Sequence, residues 1–227
     1  VYNDITPIRA TTTNGIVFAG TDGSTTITAT DDDHGCVEGD FVTISGAVSL
    51  GGLVTAVILN AEHQITGVPT ADTFTFTVSV TANSSDSGNG GSAADAAYQL
   101  NTGLDVYVRS TGWGAGTWGA GTFGSSSDIS ENGQLRLWSL DNFGDDTIVN
   151  PRAGSLYFWD KSDGLTTRAV ALSSESGASD VPTACLQVMT SDVDKHVIAF
   201  GANSIGSSSI DPLLVRFSDR ESAIDWT

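Results

Sequence analysis

The chain is short of lysine, sulfur and imidazole, and each shortage closes off a class of function. Only two lysines, Lys161 and Lys195, occur in 227 residues, and nine Lys and Arg together stand against 27 Asp and Glu. The net charge is −18 and the sequence pI about 4.1. A surface of that sign repels phosphate, which disfavours tight wrapping of nucleic acid. The two cysteines, Cys36 and Cys185, are too few for a disulfide framework and too far apart for a zinc spacing. Both lie in apolar or strand-like runs, so buried free thiols are expected. No run of 18 apolar residues occurs, which leaves no candidate helix for a membrane span. The only imidazoles are His34, His63 and His196, and none sits in a nucleophile elbow. His196 falls in an alternating strand and reads as structural. The 27 acids offer no two that stand out as a glycosidase pair. No catalytic residue, metal ligand or cofactor is assigned from these features.

Glycine, Thr, Ser and Val are abundant, with 26 glycines, and 39% of residues are hydrophobic. With a mean hydropathy of +0.01 the chain can bury a core. β-Branched residues suit a pleated sheet and glycine suits tight turns, so an all-β fold is expected. The chain starts at Val1-Tyr2-Asn3-Asp4 without an initiator Met. It stops at Asp225-Trp226-Thr227 inside a strand-like pattern, and is expected to be a piece of a longer protein.

Composition divides the chain. Residues 1–9 read as an opening strand of the body, and 10–82 as an inserted small β-barrel or sandwich domain. The strongest strand pattern is Thr73–Thr81, with Phe74, Phe76, Val78 and Val80 facing one way and Thr or Ser the other. Further strands are expected at 24–30 and 41–45, and Leu53–Leu59 forms an apolar run. Residues 83–97 are small, polar and rich in Gly and Ser, and read as a flexible linker. Residues 98–227 are β again, with strands expected at 104–108, 135–140, 155–159, 168–172, 185–189, 196–200 and 213–217.

This last part holds a loose repeat. From Leu135 and again from Leu186 a strand runs into an Asp-containing turn, a short apolar strand, a Gly-rich loop and a strand ending in an aromatic followed by Asp. Trp159-Asp160 matches Phe217-Ser218-Asp219. Such units point to about two blades of a partial β-propeller-like body, too few to close a ring.

Two motifs read more simply than they look. Trp113–Gly124 (WGAGTWGAGTFG) has the glycine spacing of a phosphate loop, but no Lys-Ser/Thr and no helix follow it. Trp113, Trp118 and Phe123, with Trp159, are instead candidate interface or binding aromatics. Asp31-Asp32-Asp33-His34 could offer metal ligands, but consecutive side chains diverge, and a solvated turn is expected.

Several phrases carry a resemblance. Tyr2–Asn14 (YNDITPIRATTTN), Leu104–Gly119, Leu135–Asp160, Ser191–Asn203 and Asp211–Trp226 resemble the nozzle, or tail tubular, proteins of short-tailed bacteriophages. His34–Ala47 with Leu59–Phe76 resembles a small β-barrel unit inserted in many phage structural proteins. That unit has Gly after the Asn, where this chain has Ala61, and its loop is shorter than Val48–Ile58 here, which puts the loop geometry in question.

The resemblance implies a structural virion protein of the phage tail, with no catalytic residues. It implies self-association into a ring of roughly six copies around a DNA-exit channel, with adaptor and fibre proteins as neighbours and DNA passing without specific binding. The acidity admits two readings: solubility of a Thr- and Gly-rich β protein, or channel walls that DNA does not stick to. The alternative function is a receptor-binding or adhesin module that contacts host glycans through exposed aromatics. A glycan-cleaving tail enzyme is a third.

Overall fold

A computed structural model describes residues 4–90, 93–103 and 136–226. The protein is all-β, with antiparallel sheets and, among the described residues, one short α-helix. The chain divides into a unit of Ile8–Thr102 and a unit built from Val1–Pro7 and Gly103–Thr227.

In the Ile8–Thr102 unit, eight strands form one sheet: β1 (Ile8–Thr12), β2 (Val17–Gly20), β3 (Thr26–Thr30), β4 (Phe41–Ser45), β5 (Glu62–Thr70), β6 (Thr73–Thr77), β7 (Asp86–Asn89) and β8 (Asp95–Gln99). The order is β1-β8-β4-β5-β6-β3-β2-β7. Strand β5 joins the two halves. Its first residues pair with β4, and from Ile65 on it pairs with β6 through register shifts around Gly67. Such irregularities bend a strand and raise its twist. One continuous core gathers Phe18, Ile27, Ile44, Ile65, Phe74, Phe76 and Tyr98 from six strands, so the sheet wraps around its own inner face. The sheet ends at β1 and β7 rather than closing into a barrel. In β6, Phe74 and Phe76 are buried with Val78 just beyond, as the period of two requires.

The segment expected to be a linker at 83–97 is instead part of this sheet. It holds β7, which pairs with β2, and β8, which pairs with both β1 and β4. Its small side chains are what the interior needs there, since Ala94 and Ala96 are fully buried. Gly46 shows how close the packing is. With φ at +71°, a Cβ there would collide with the Ala93 carbonyl oxygen. The apolar run at Leu53–Leu59 is not a strand; its second half is the helix α1 (Ala56–Leu59). Asn60 then clasps Ala47, accepting from its N–H (2.8 Å) and donating to its carbonyl (2.7 Å). Ala61 has no positive φ, so this loop does not require glycine.

The second unit contains β9 (Trp138–Phe143), β10 (Asp146–Pro151), β11 (Tyr157–Trp159) and β12 (Val170–Ala171) in the order β12-β11-β10-β9. A three-stranded sheet follows: β13 (Gln187–Thr190), β14 (Val197–Phe200) and β15 (Val215–Phe217). The repeat seen in the sequence therefore corresponds to two antiparallel meanders, β9-β10-β11 and β13-β14-β15. Ile148, Leu156, Leu172, Val188, Val197 and Trp226 are among the buried residues of their shared core. Of the opening segment, residues 4–7 are not a strand. The Ile5 carbonyl accepts from Ala169 N (3.0 Å), and Arg168 binds the Asp4 carboxylate (2.9 Å), while the strand that follows, β1, belongs to the other unit.

Candidate functional site

Alternation in the last three strands separates two faces. Val188, Thr190, Val197, Ala199 and Arg216 turn inward and are buried. The outward face is set by the ladder register. Met189, Ile198 and Phe217 form one cross-strand row, and Gln187, Phe200 and Val215 the other. Five of these six are apolar and none is charged, yet Met189 is 42% exposed, Val215 48% and Phe217 55%. Side chains paired this way are within contact distance of one another, so they make one contiguous apolar surface. Its rim is charged with both signs. Lys195 follows the turn after β13, Arg220 lies 3.5 Å from Asp194, and His196 meets Phe217 edge to face at 6.0 Å.

Of the four aromatics expected to carry an interface, one falls within the described residues. Trp113, Trp118 and Phe123 lie outside the described residues. Trp159 is half-buried on β11, and its indole N–H donates to the Thr167 carbonyl at 3.1 Å. It braces a loop rather than standing free as a platform. The sheet face was missed because Met189, Phe200, Val215 and Phe217 look like core in sequence; only their register with Ile198 reveals a shared outward side.

The Asp31–His34 turn also departs from expectation. Asp32 and Asp33 are exposed as a solvated turn should be, but Asp31 and His34 are buried. The Tyr98 hydroxyl donates to the Asp31 carboxylate. His34 Nδ1 accepts the Cys36 N–H at 3.0 Å, which places the ring proton on Nε2. Nε2 is buried with no hydrogen-bond acceptor, in a ring edge to face with Phe74 at 5.2 Å. Arg9 donates to the His34 carbonyl (2.7 Å) and to Cys36 Sγ (3.0 Å), and its guanidinium lies 5.2 Å from the Tyr98 ring centre. Asp40 accepts from Val37 N (3.0 Å) and Asn101 Nδ2 (2.6 Å).

This network is built to hold structure rather than to react. Burial pushes the Cys36 thiol up to about 12, against the pull of Arg9. Burial raises the Tyr98 hydroxyl well above the usual phenol range, reinforced by its hydrogen bond to Asp31. A thiol that stays protonated is a poor nucleophile and a poor metal ligand. Burial also pushes Cys185 up to about 12. Among the described residues, no three His, Cys, Asp or Glu converge as a metal-binding group.

No protein-family model matches the chain, and no curated protein matches it. Among solved structures, phage phi92 endosialidase aligns over 96% of this chain at 14% identity, with a TM-score of 0.32. The alignment spans 31% of that chain, and the overlap is too low to place the two in one fold.

Proposed function

We propose that this chain is a structural subunit of a bacteriophage tail that joins neighbouring copies of itself into the nozzle ring lining the DNA-exit path. The observation that carries this reading is the uncharged face of β13, β14 and β15 on a protein of net charge −18. Two acidic copies repel wherever acids oppose acids, and an apolar face with a mixed-sign rim is where they can meet. A closed ring needs two complementary surfaces on each subunit. Leu137, just before β9, and Leu140, within it, are exposed apolar side chains available for the second. The resemblance of residues 98–227 to nozzle proteins supports the same reading, and acidic walls suit a conduit that releases DNA. The chain acts here as a scaffold, not as an enzyme. The glycan-adhesin alternative gains nothing from Trp159, whose indole N–H is already committed within its own loop.

Native mass measurement of the assembly tests the proposal. A closed ring of roughly six copies is the expected result. A monomer or trimer at micromolar concentration would overturn it.

A further inference from the structure

The core-facing row of the three-stranded sheet runs Val188, Ala199, Arg216. A guanidinium at an inward position is unusual, because buried arginines are normally paired with carboxylates. Arg216 is 6% exposed. Nη1 donates to the Asn203 carbonyl at 3.3 Å and Nη2 to the Asp180 carbonyl. Both hydrogen-bond partners are neutral carbonyls, the Asp180 carboxylate acts on the guanidinium through its charge without a hydrogen bond among the described residues, and two of the five N–H groups are used there.

Arg216 lines an open pocket of about 390 Å³ with Asp180, Thr183, Asn203, Ser207 and Ser208. That volume lies within the range of small-molecule sites. Asn203 fixes its walls. Its side-chain oxygen accepts from Thr183 N and Ala184 N, each at 3.1 Å, and its amide donates to Thr183 Oγ1 (2.9 Å) and to the Ser207 carbonyl. Ser207 Oγ accepts from Ser209 N at 3.1 Å and keeps its own proton to donate, as does Thr183 Oγ1. The pocket thus combines a cation with spare donors, hydroxyl groups, and one carboxylate on Asp180.

We propose that this pocket binds a small hydroxylated carboxylate, such as a sugar acid. A planar carboxylate matches the guanidinium fork, which a neutral sugar cannot use. Ligand hydroxyls donate to Asp180 and pair with Ser207 and Thr183. Asp180 also selects for a single negative charge, since a phosphate dianion would meet stronger repulsion beside it. The site goes beyond the assembly role and does not depend on it.

The test is a calorimetric titration of the full chain with D-glucuronate, with D-glucose and inorganic phosphate as comparison probes. The expected order is glucuronate tightest, phosphate weaker and glucose undetectable. Arg216→Lys keeps the charge but loses the fork, and weakens glucuronate roughly tenfold. Should that variant fail to fold, Asp180→Asn decides the matter, because its side chain is exposed and Asn tolerates the positive φ of 50° at this position. Removing the Asp180 charge raises phosphate affinity relative to glucuronate by roughly tenfold. No glucuronate binding at tens of millimolar, glucose binding equal to glucuronate, or an unchanged probe ratio in Asp180→Asn would each overturn the proposal.

Discussion

The Asp141 carboxylate accepts the backbone N–H of Thr190 at 2.7 Å, so a side chain on β9 closes the open edge of β13. Ser139 does the same for Val188 N at 3.0 Å. No ladder runs between these two strands; two side chains one turn of the pleat apart replace it. Both oxygens of Asp141 are used, since the other accepts from Asn142 N at 2.9 Å. An edge strand left with unmet N–H groups is both destabilised and prone to pair with foreign strands, and these caps prevent both.

Asp141→Ala leaves the Thr190 N–H buried without an acceptor. The expected loss is about 1–3 kcal/mol of folding stability, with a smaller loss for Asp141→Asn, which keeps an acceptor oxygen. Urea denaturation of the two variants beside the parent chain measures both, and equal stability of Asp141→Ala and the parent contradicts the capping role.

Phe217→Asp places a charge on the outward face of the last sheet, at a position 55% exposed. Folding stability should fall by about 1 kcal/mol, through the lost cross-strand contacts and the lower strand propensity of Asp, and the fold should persist. The assembly should dissociate, because the charge would be desolvated at the contact. Sedimentation velocity and thermal unfolding, run on the same sample, separate the two effects; an intact assembly argues that this face is not the contact.

His63 gives the Ile8–Thr102 unit a pH dependence. Burial lowers its pKa from 6.5, opposed by carbonyl hydrogen bonds at Leu59 and Ile58 and by the charge of Glu62. Its Nε2 lies 3.1 Å from the Leu59 carbonyl oxygen, and its ring packs on Phe76 at 4.3 Å. The unfolded chain therefore binds more protons than the folded one just below pH 6.5. The stabilisation is complete above 6.5 and is lost as pH falls through the depressed folded value. His63→Phe keeps an aromatic ring on Phe76 and should flatten the slope of Tm between pH 7 and pH 5. A slope identical to the parent's assigns the dependence to other groups.

Cys36 and Cys185, both buried and both pushed up to about 12, should resist alkylation in the folded protein at pH 8. Both should react at the rate of a free thiol once the chain is unfolded in guanidinium. Mass spectrometry after a timed iodoacetamide pulse reads this directly. Rapid labelling of either thiol in the folded state would mean that its surroundings open.

The fold class, many strand positions, the repeat of strands in the second unit and the free, buried cysteines were legible in the sequence, while the strand expected at 104–108 lies outside the described residues. These follow from local facts: β-branched residues favour extended backbone, and a period of two marks a strand with two unlike faces. Strand β4 falls at 41–45, where the pattern put it, and Phe74 and Phe76 turn to the core together. Tertiary structure alone decided which strands are neighbours and which face meets water. The Gly- and Ser-rich segment around Ala94 and Ala96 became sheet because β1 and β4 offered it strand partners, a constraint that comes from residues some 50 to 90 positions earlier. Asp31 and His34 went inside because Tyr98 and Cys36 supplied their partners. Alternation likewise put Met189 and Phe217 on a face opposite Val188 and Arg216. Which of those faces is the core depended on where Trp226, Leu172 and Ile148 packed, and such long-range pairing leaves no periodic mark on the chain.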